Sequence, residues 1–156
     1  MATAEQYKRI IAQNKKAYHD YFIEEKLEAG IVLTGSEVKS LRAGKANIND
    51  SHAAESKGEI FLFNSHVAEY EKANRFNHET RRARKLLLHK QQIRKLIGKL
   101  KVKGYTLVAL TIYFNDKNRV KVELGLAKGK KEYDKRQTIK EKEWKRDQER
   151  IMKNYK

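Results

Sequence analysis

The chain contains no cysteine and no proline. Lack of cysteine excludes disulfides and thiolate metal sites and fits a reducing compartment. Lack of proline leaves glycines and polar clusters to mark the turns. No apolar run approaches the roughly 20 residues that a membrane-spanning helix needs. The opening "MATAEQYKRIIAQNKKAYHDY" lacks the apolar centre of a secretion signal. A cytoplasmic protein is therefore expected. Acid is also scarce: 20 Asp and Glu face 36 Lys and Arg, a formal net charge of +16 over 156 residues. Such an excess repels itself in a compact state and points to a polyanionic partner. Hydrophobic residues, at 39%, suffice for one modest core with an appendage.

Hydrophobic spacing supplies the elements. "HDYFIEEKLEAGIVL" (residues 19–33) alternates as a strand, with Ile23, Leu27, Ala29, Ile31 and Leu33 on one face and Glu24, Lys26 and Glu28 on the other. Thr34 and Glu37 fit a helix capping box, and Gly44 stands where that short helix ends. Residues 51–70 form two or three short strands, with Lys57 and Gly58 as a hairpin turn. "EKANRFNHETRRARK" is expected as a flexible basic loop and "KLLL" as a strand. Ile93, Leu96, Ile97 and Leu100 mark one face of a helix that stops at Gly104. "YTLVALTIYF" is apolar on both faces and should be central, and "RVKVELGL" alternates, with Val120, Val122, Leu124 and Leu126 inward. The fold class predicted is mainly β with flanking helices: a six-stranded OB-like β-barrel over residues 1–127.

From residue 128 to 156 apolar content collapses, leaving 12 basic and 6 acidic residues. Thr138 and Glu141 form a second capping-box pattern, and Trp144, Ile151 and Tyr155 share one helical side. A lone helix of this length is marginal in water. The spacing predicts a basic C-terminal tail that is disordered when free and helical when docked.

Catalytic patterns are missing. The five histidines have no metal-binding spacing. Gly44-Lys45 lacks the first glycine of a phosphate loop, since Lys39 stands there. Glu24, Glu25 and Glu28 read as solvated strand carboxylates rather than acid/base groups. Neither metal, cofactor nor enzyme activity is expected. What remains is positive charge beside aromatic planes: Lys128, Lys130, Lys131, Lys135 and Arg136 crowd around Gly129 and Tyr133. Further basic groups are Asn14, Lys15 and Lys16; Arg42 and Lys45; and Arg81, Arg82, Arg84 and Lys85. Lysines neutralise phosphates and rings stack on unpaired bases, so the set points to nucleic acid. Competing expectations are a ribosomal or general RNA-binding OB protein, an RNA-processing enzyme and, last, a membrane-surface helix.

The blocks "EVKSLRAGKANI", "EIFLFNSHVAEY", "RKLLLHKQQI", "GYTLVALTIYF", "AKGKKEYDKR" and "RIMKN" closely resemble the SsrA-binding protein family, or small protein B. The resemblance implies an RNA-binding adaptor without chemistry of its own. Such an adaptor escorts transfer-messenger RNA, with GTP-bound elongation factor Tu, to stalled ribosomes for trans-translation. It further implies that Asn14, Lys15, Lys16, Glu28, Leu87, Lys121, Lys128, Lys130 and Lys131 serve the transfer-RNA-like domain. Leu87 is open between an RNA-facing and a core position. Tyr133, Asp134, Lys135 and Arg136 are implied near the decoding centre of the small subunit, and Trp144, Ile151 and Met152 in the empty messenger channel. "NHETRRAR" departs from the family by lacking a loop proline.

Overall fold

Strand β8 (Tyr105–Phe114) has hydrophobic cover on both faces, as its doubly apolar sequence requires. In the computed structural model, residues 9–70, 77–130 and Arg146 are described. Before β8 come β1 (Arg9–Gln13), α1 (Lys15–Asp20), β2 (Tyr21–Ile31), α2 (Gly35–Arg42), β3 (Ala46–Asn47), β4 (His52–Ser56), β5 (Glu59–Phe63), β6 (His66–Val67), β7 (Arg84–Leu87) and α3 (Lys90–Leu100). After it comes β9 (Val120–Gly129).

Strands β8-β4-β5-β7-β2-β9 neighbour one another in that order, and β9 pairs back onto β8. Six antiparallel strands thus close the expected barrel, and closure removes the exposed edges of an open sheet. Strand β1 joins β8 at Thr111–Phe114, leaving β4 the Ala53↔Leu107 pairing nearer the other end. The β4–β5 hairpin turns at Lys57 and Gly58, both with positive φ (53° and 80°). That backbone twist matches the twist of the strands it joins.

The barrel interior is filled by Ala29, Ile60, Leu62, Leu86, Leu107, Val122 and Leu124, among others. A smaller cluster of Ala17, Val108, Leu110 and Ala127 lies outside the wall, where α1 covers β8 and β9. A bulge between Ile23 and Glu25 corrects the expected single face of β2. Beyond it, Leu27, Ala29 and Ile31 face the interior, whereas Ile23 joins the outer cluster. One extra residue reverses the alternation, so a strict period of two fails across it. His19 and Asp20, read as strand, belong to α1, and Leu33 lies past the end of β2.

The expected flexible basic loop is also corrected over its described part, residues 77–85. Asn77 hydrogen-bonds both backbone groups of Tyr70, His78 is buried, and Arg84 is fully buried. Arg84 donates through Nε to Glu37, through Nη1 to the carbonyl and hydroxyl of Ser65 (both 2.8 Å), and through Nη2 to Thr80 O (3.1 Å). A planar fork of donors can organise several loop carbonyls at once. Glu37 also completes the capping box, accepting from the Thr34 amide at 2.8 Å, and accepts from Arg82 Nε at 3.1 Å. Burial pushes the Glu37 carboxyl up. The Arg82, Thr34 and Arg84 donors outweigh it and hold the group below its ordinary value.

Candidate nucleic-acid interface

Side chains of β2, β9 and β8 that alternate with the interior residues form the outer wall. Across it the ladder aligns Leu87 of β7, Gly30 of β2, Lys121 of β9 and Tyr113 of β8. Leu87 is 52% exposed, so it is not a core leucine. Gly30 makes room for it, because a Cβ there would come within 3.1 Å of the Leu87 Cβ. One turn of the pleat along β2, Glu28 accepts a hydrogen bond from the Tyr113 hydroxyl. Burial, then the Glu28 carboxylate, pushes the Tyr113 phenol up, so it remains a donor that holds Glu28 in place. An apolar side chain, a cation and an oriented carboxylate therefore share one outward row.

Seven residues further along β9, about 23 Å at strand rise, lies a second basic station. Lys128 continues the inward positions of Val122, Leu124 and Leu126 to the barrel rim. Its Nζ lies 4.5 Å from the Tyr105 ring centroid and 3.9 Å from Glu24. The Tyr105 hydroxyl donates to the same carboxylate at 3.0 Å. Lys130 Nζ sits 5.3 Å from the Phe22 ring centroid and donates to Tyr18 O at 3.2 Å. Cation–π contacts at exposed sites are worth about 0.5–1 kcal/mol, enough to bias long flexible side chains towards one direction. The strand extends through Lys128 and Gly129, two residues past the expected start of the tail.

Lys15 and Lys16 are exposed on α1. Asn14 is 3% exposed: its Oδ1 caps α1 at Ala17 N, and its Nδ2 donates to Ile48 O and Ala109 O. This corrects its expected place on an RNA-facing surface. Asn14 seats the helix that carries the two lysines, because capping and tying two backbones uses its whole amide. Arg42 and Lys45 are exposed after α2, where the Arg42 carbonyl accepts from Arg9 Nη2 at 2.8 Å. Of the fourth basic group, Arg84 is buried and Arg82 is turned to Glu37, so neither is free for phosphate. Lys131, Tyr133, Asp134, Lys135, Arg136, Trp144, Ile151 and Met152 lie outside the described residues.

Glu24, Glu25 and Glu28 each have a partner: Tyr105, Lys95 and Tyr113 respectively. Among the described residues no group of three or more His, Asp or Glu side chains is placed to hold a metal ion. None of their helices is long and apolar enough to cross a membrane. Sequence reasoning missed Tyr113, Tyr105 and Phe22. The first two sit in an apolar strand where nothing separates a hydrophobic neighbour from a polar handle.

Comparison with known proteins gives three findings. The family model described as SmpB protein matches residues 11–154. The SsrA-binding protein of Rickettsia bellii (strain OSU 85-389) is 70% identical over 147 residues, covering 94% of this chain and 97% of that protein. That of Rickettsia conorii is 69% identical over the same shares. A solved structure, "tmRNA-SmpB: a journey to the center of the bacterial ribosome", contains a chain with 54% identity and a TM-score of 0.64. The match covers 76% of this chain and 82% of that one.

Proposed function

The chain belongs to the SmpB protein family, and from that premise we infer how its two basic regions divide the work of trans-translation. It binds transfer-messenger RNA (tmRNA) and acts with it on the ribosome, the partners that its relatives' names carry. One observation bears this reading: the relationship runs at 70% identity over 94% of the chain rather than through an isolated motif.

The barrel supplies the affinity. Leu87 is an apolar surface for an exposed base or ribose, while Lys121 meets a phosphate and Glu28 accepts from sugar or base donors in the same row. Lys15, Lys16, Arg42, Lys45, Lys128, Lys130 and Lys131 extend the positive surface around it. Phosphate neutralisation dominates such affinities, and oriented neighbours add register. The C-terminal tail, residues 128–156, supplies the test with its part beyond these lysines. Tyr133, Asp134, Lys135 and Arg136 engage the decoding centre, and Trp144, Ile151 and Met152 form a helix in the messenger channel. A segment that folds only on docking can enter a vacant channel and is excluded from a filled one. Elongation factor Tu with GTP accompanies the complex. The protein works in the cytoplasm as an adaptor without catalysis.

Truncation at Thr138 tests this division. The shorter chain should bind tmRNA as the full chain does in a gel-shift assay, yet fail to support tagging of stalled peptides. Loss of RNA binding on that truncation defeats the division. In competition, tmRNA should displace ribosomal RNA fragments; equal competition by the fragments defeats the specific reading.

A further inference from the structure

A cavity of about 450 Å³ opens between α1, the 47–51 loop and the start of β8. Its lining includes Lys16, Asp20, Asn49, Asp50, His52 and Thr106. The size falls in the range of small-molecule sites and suits one nucleotide. It also lies away from the Leu87 row. Thr106 and Tyr113 are seven residues apart on β8, about 23 Å of strand.

The walls are built in advance of any ligand. Asn14 ties α1 to the 47–51 loop through Ile48 O and to β8 through Ala109 O. Ser51 Oγ donates to Ile48 O at 2.7 Å, Asn49 N to Asn47 Oδ1 at 2.9 Å, and Asn64 Nδ2 to Asp50 O at 3.2 Å. The His52 ring stacks on Phe63, with centroids 5.5 Å apart and planes 22° apart, so an aromatic plate is held at the rim. Wall loop, helix and plate are thus fixed by bonds that a nucleotide need not break.

The chemistry of the lining is divided. Lys16 places a cation at one side, suited to a phosphate, and His52 offers a stacking face. Asp20 lies 3.0 Å from His19 Nδ1 through its Oδ1, and the carboxylates of Asp20 and Asp50 can only accept hydrogen bonds. A base edge that meets carboxylates must present donors. Guanine presents two adjacent ones, N1–H and the 2-amino group. The Watson–Crick edges of adenine and cytosine carry one donor group beside an acceptor, and uracil a single N–H between two carbonyls. We propose that this cavity is a second RNA site, taking one unpaired guanine nucleotide with its phosphate on Lys16, its base against His52 and its donor edge on Asp50. The inference rests on the RNA-binding reading of the family and adds a base-selective pocket that shares Lys16 with the positive surface described above but lies apart from the Leu87–Lys121 row.

Guanosine 5′-monophosphate titrated into the full-length, isotope-labelled protein tests it. The amide signals of Asn49, His52 and Thr106 should move, with AMP, CMP and UMP bound at least about fivefold more weakly, the low end expected for a good edge contact. Asp50→Asn should abolish that preference, and His52→Ala should weaken all four nucleotides by about fivefold or more through lost stacking. Thermal melts confirm that both variants fold. The same variants, assayed against tmRNA and against small ribosomal subunits, identify the source: the RNA whose affinity falls supplies the guanine. Equal shifts with inorganic phosphate overturn the proposal, as do equal affinities for all four nucleotides. No shift at millimolar nucleotide, or no change for either RNA, overturns it too. In each of those cases intact binding of tmRNA by the unaltered protein leaves the family reading standing. Failure of the unaltered protein to bind tmRNA defeats that reading instead.

Discussion

Two regions of the barrel use basic side chains in opposite ways. Beside α2, Arg82 and Arg84 converge on Glu37, whose carboxylate and the Arg84 guanidinium are fully shielded from water. On the outer wall, Lys121 stands beside an exposed leucine and a carboxylate held by tyrosine. The first region joins a loop to a helix; the second is the surface proposed to meet RNA. Net charge alone does not separate them, and the difference lies in which cations have already exchanged water for a carboxylate.

Salt should part the two regions most sharply. If about 6–10 phosphates are neutralised, tmRNA affinity falls by roughly 10³–10⁵ between 50 and 200 mM salt. The urea midpoint should hardly move, because buried pairs are screened far less than exposed ones. A flat salt response in a filter-binding series would erase the contrast. Next in size is Arg84→Ala, which leaves Glu37 charged and buried and should cost about 3–5 kcal/mol of unfolding free energy. At a temperature where the variant remains folded, its RNA affinity should match that of the unaltered chain.

Acid acts on the same buried pair. The Glu37 carboxyl is depressed in the folded state, against an ordinary value of 4.5. Its contribution is therefore complete above about pH 4.5 and is lost as pH falls towards and through the depressed folded value. Denaturation curves on the acid side should steepen for the unaltered chain and flatten for Glu37→Gln. The smallest effects belong to the outer wall. Leu87→Ala should change stability by no more than about 0.5 kcal/mol, as for an exposed residue, while weakening tmRNA binding measurably. Lys121→Ala should lower the salt slope of binding by about 1. A stability loss with unchanged RNA affinity in Leu87→Ala would reassign that leucine to packing.

Local rules carried much of the fold. Thr34 and Glu37 cap α2, Lys57 and Gly58 turn a hairpin, and the four apolar positions of α3 face the barrel as their spacing demands. Helix α1 was not legible, because six residues with one buried side chain give no periodicity. Nor was the inward turn of Arg84, since its neighbours Arg81, Arg82 and Lys85 make it look like one more surface cation. Within the interface the lysines were visible and the rings that steer them were not.

Composition and alternation by themselves determined a small β-rich scaffold with a large positive excess and a barrel-forming strand pattern. These follow from charge and from the two-residue period, which are properties of neighbours in the chain. Only the tertiary structure decided that Asn14 and Arg84 are interior, that Leu87 faces water, and that Ile23 and Leu27 lie on opposite sides of the wall. Each of those depends on a partner far along the chain or on a bulge set by pairing, and burial exists only once the strands have closed.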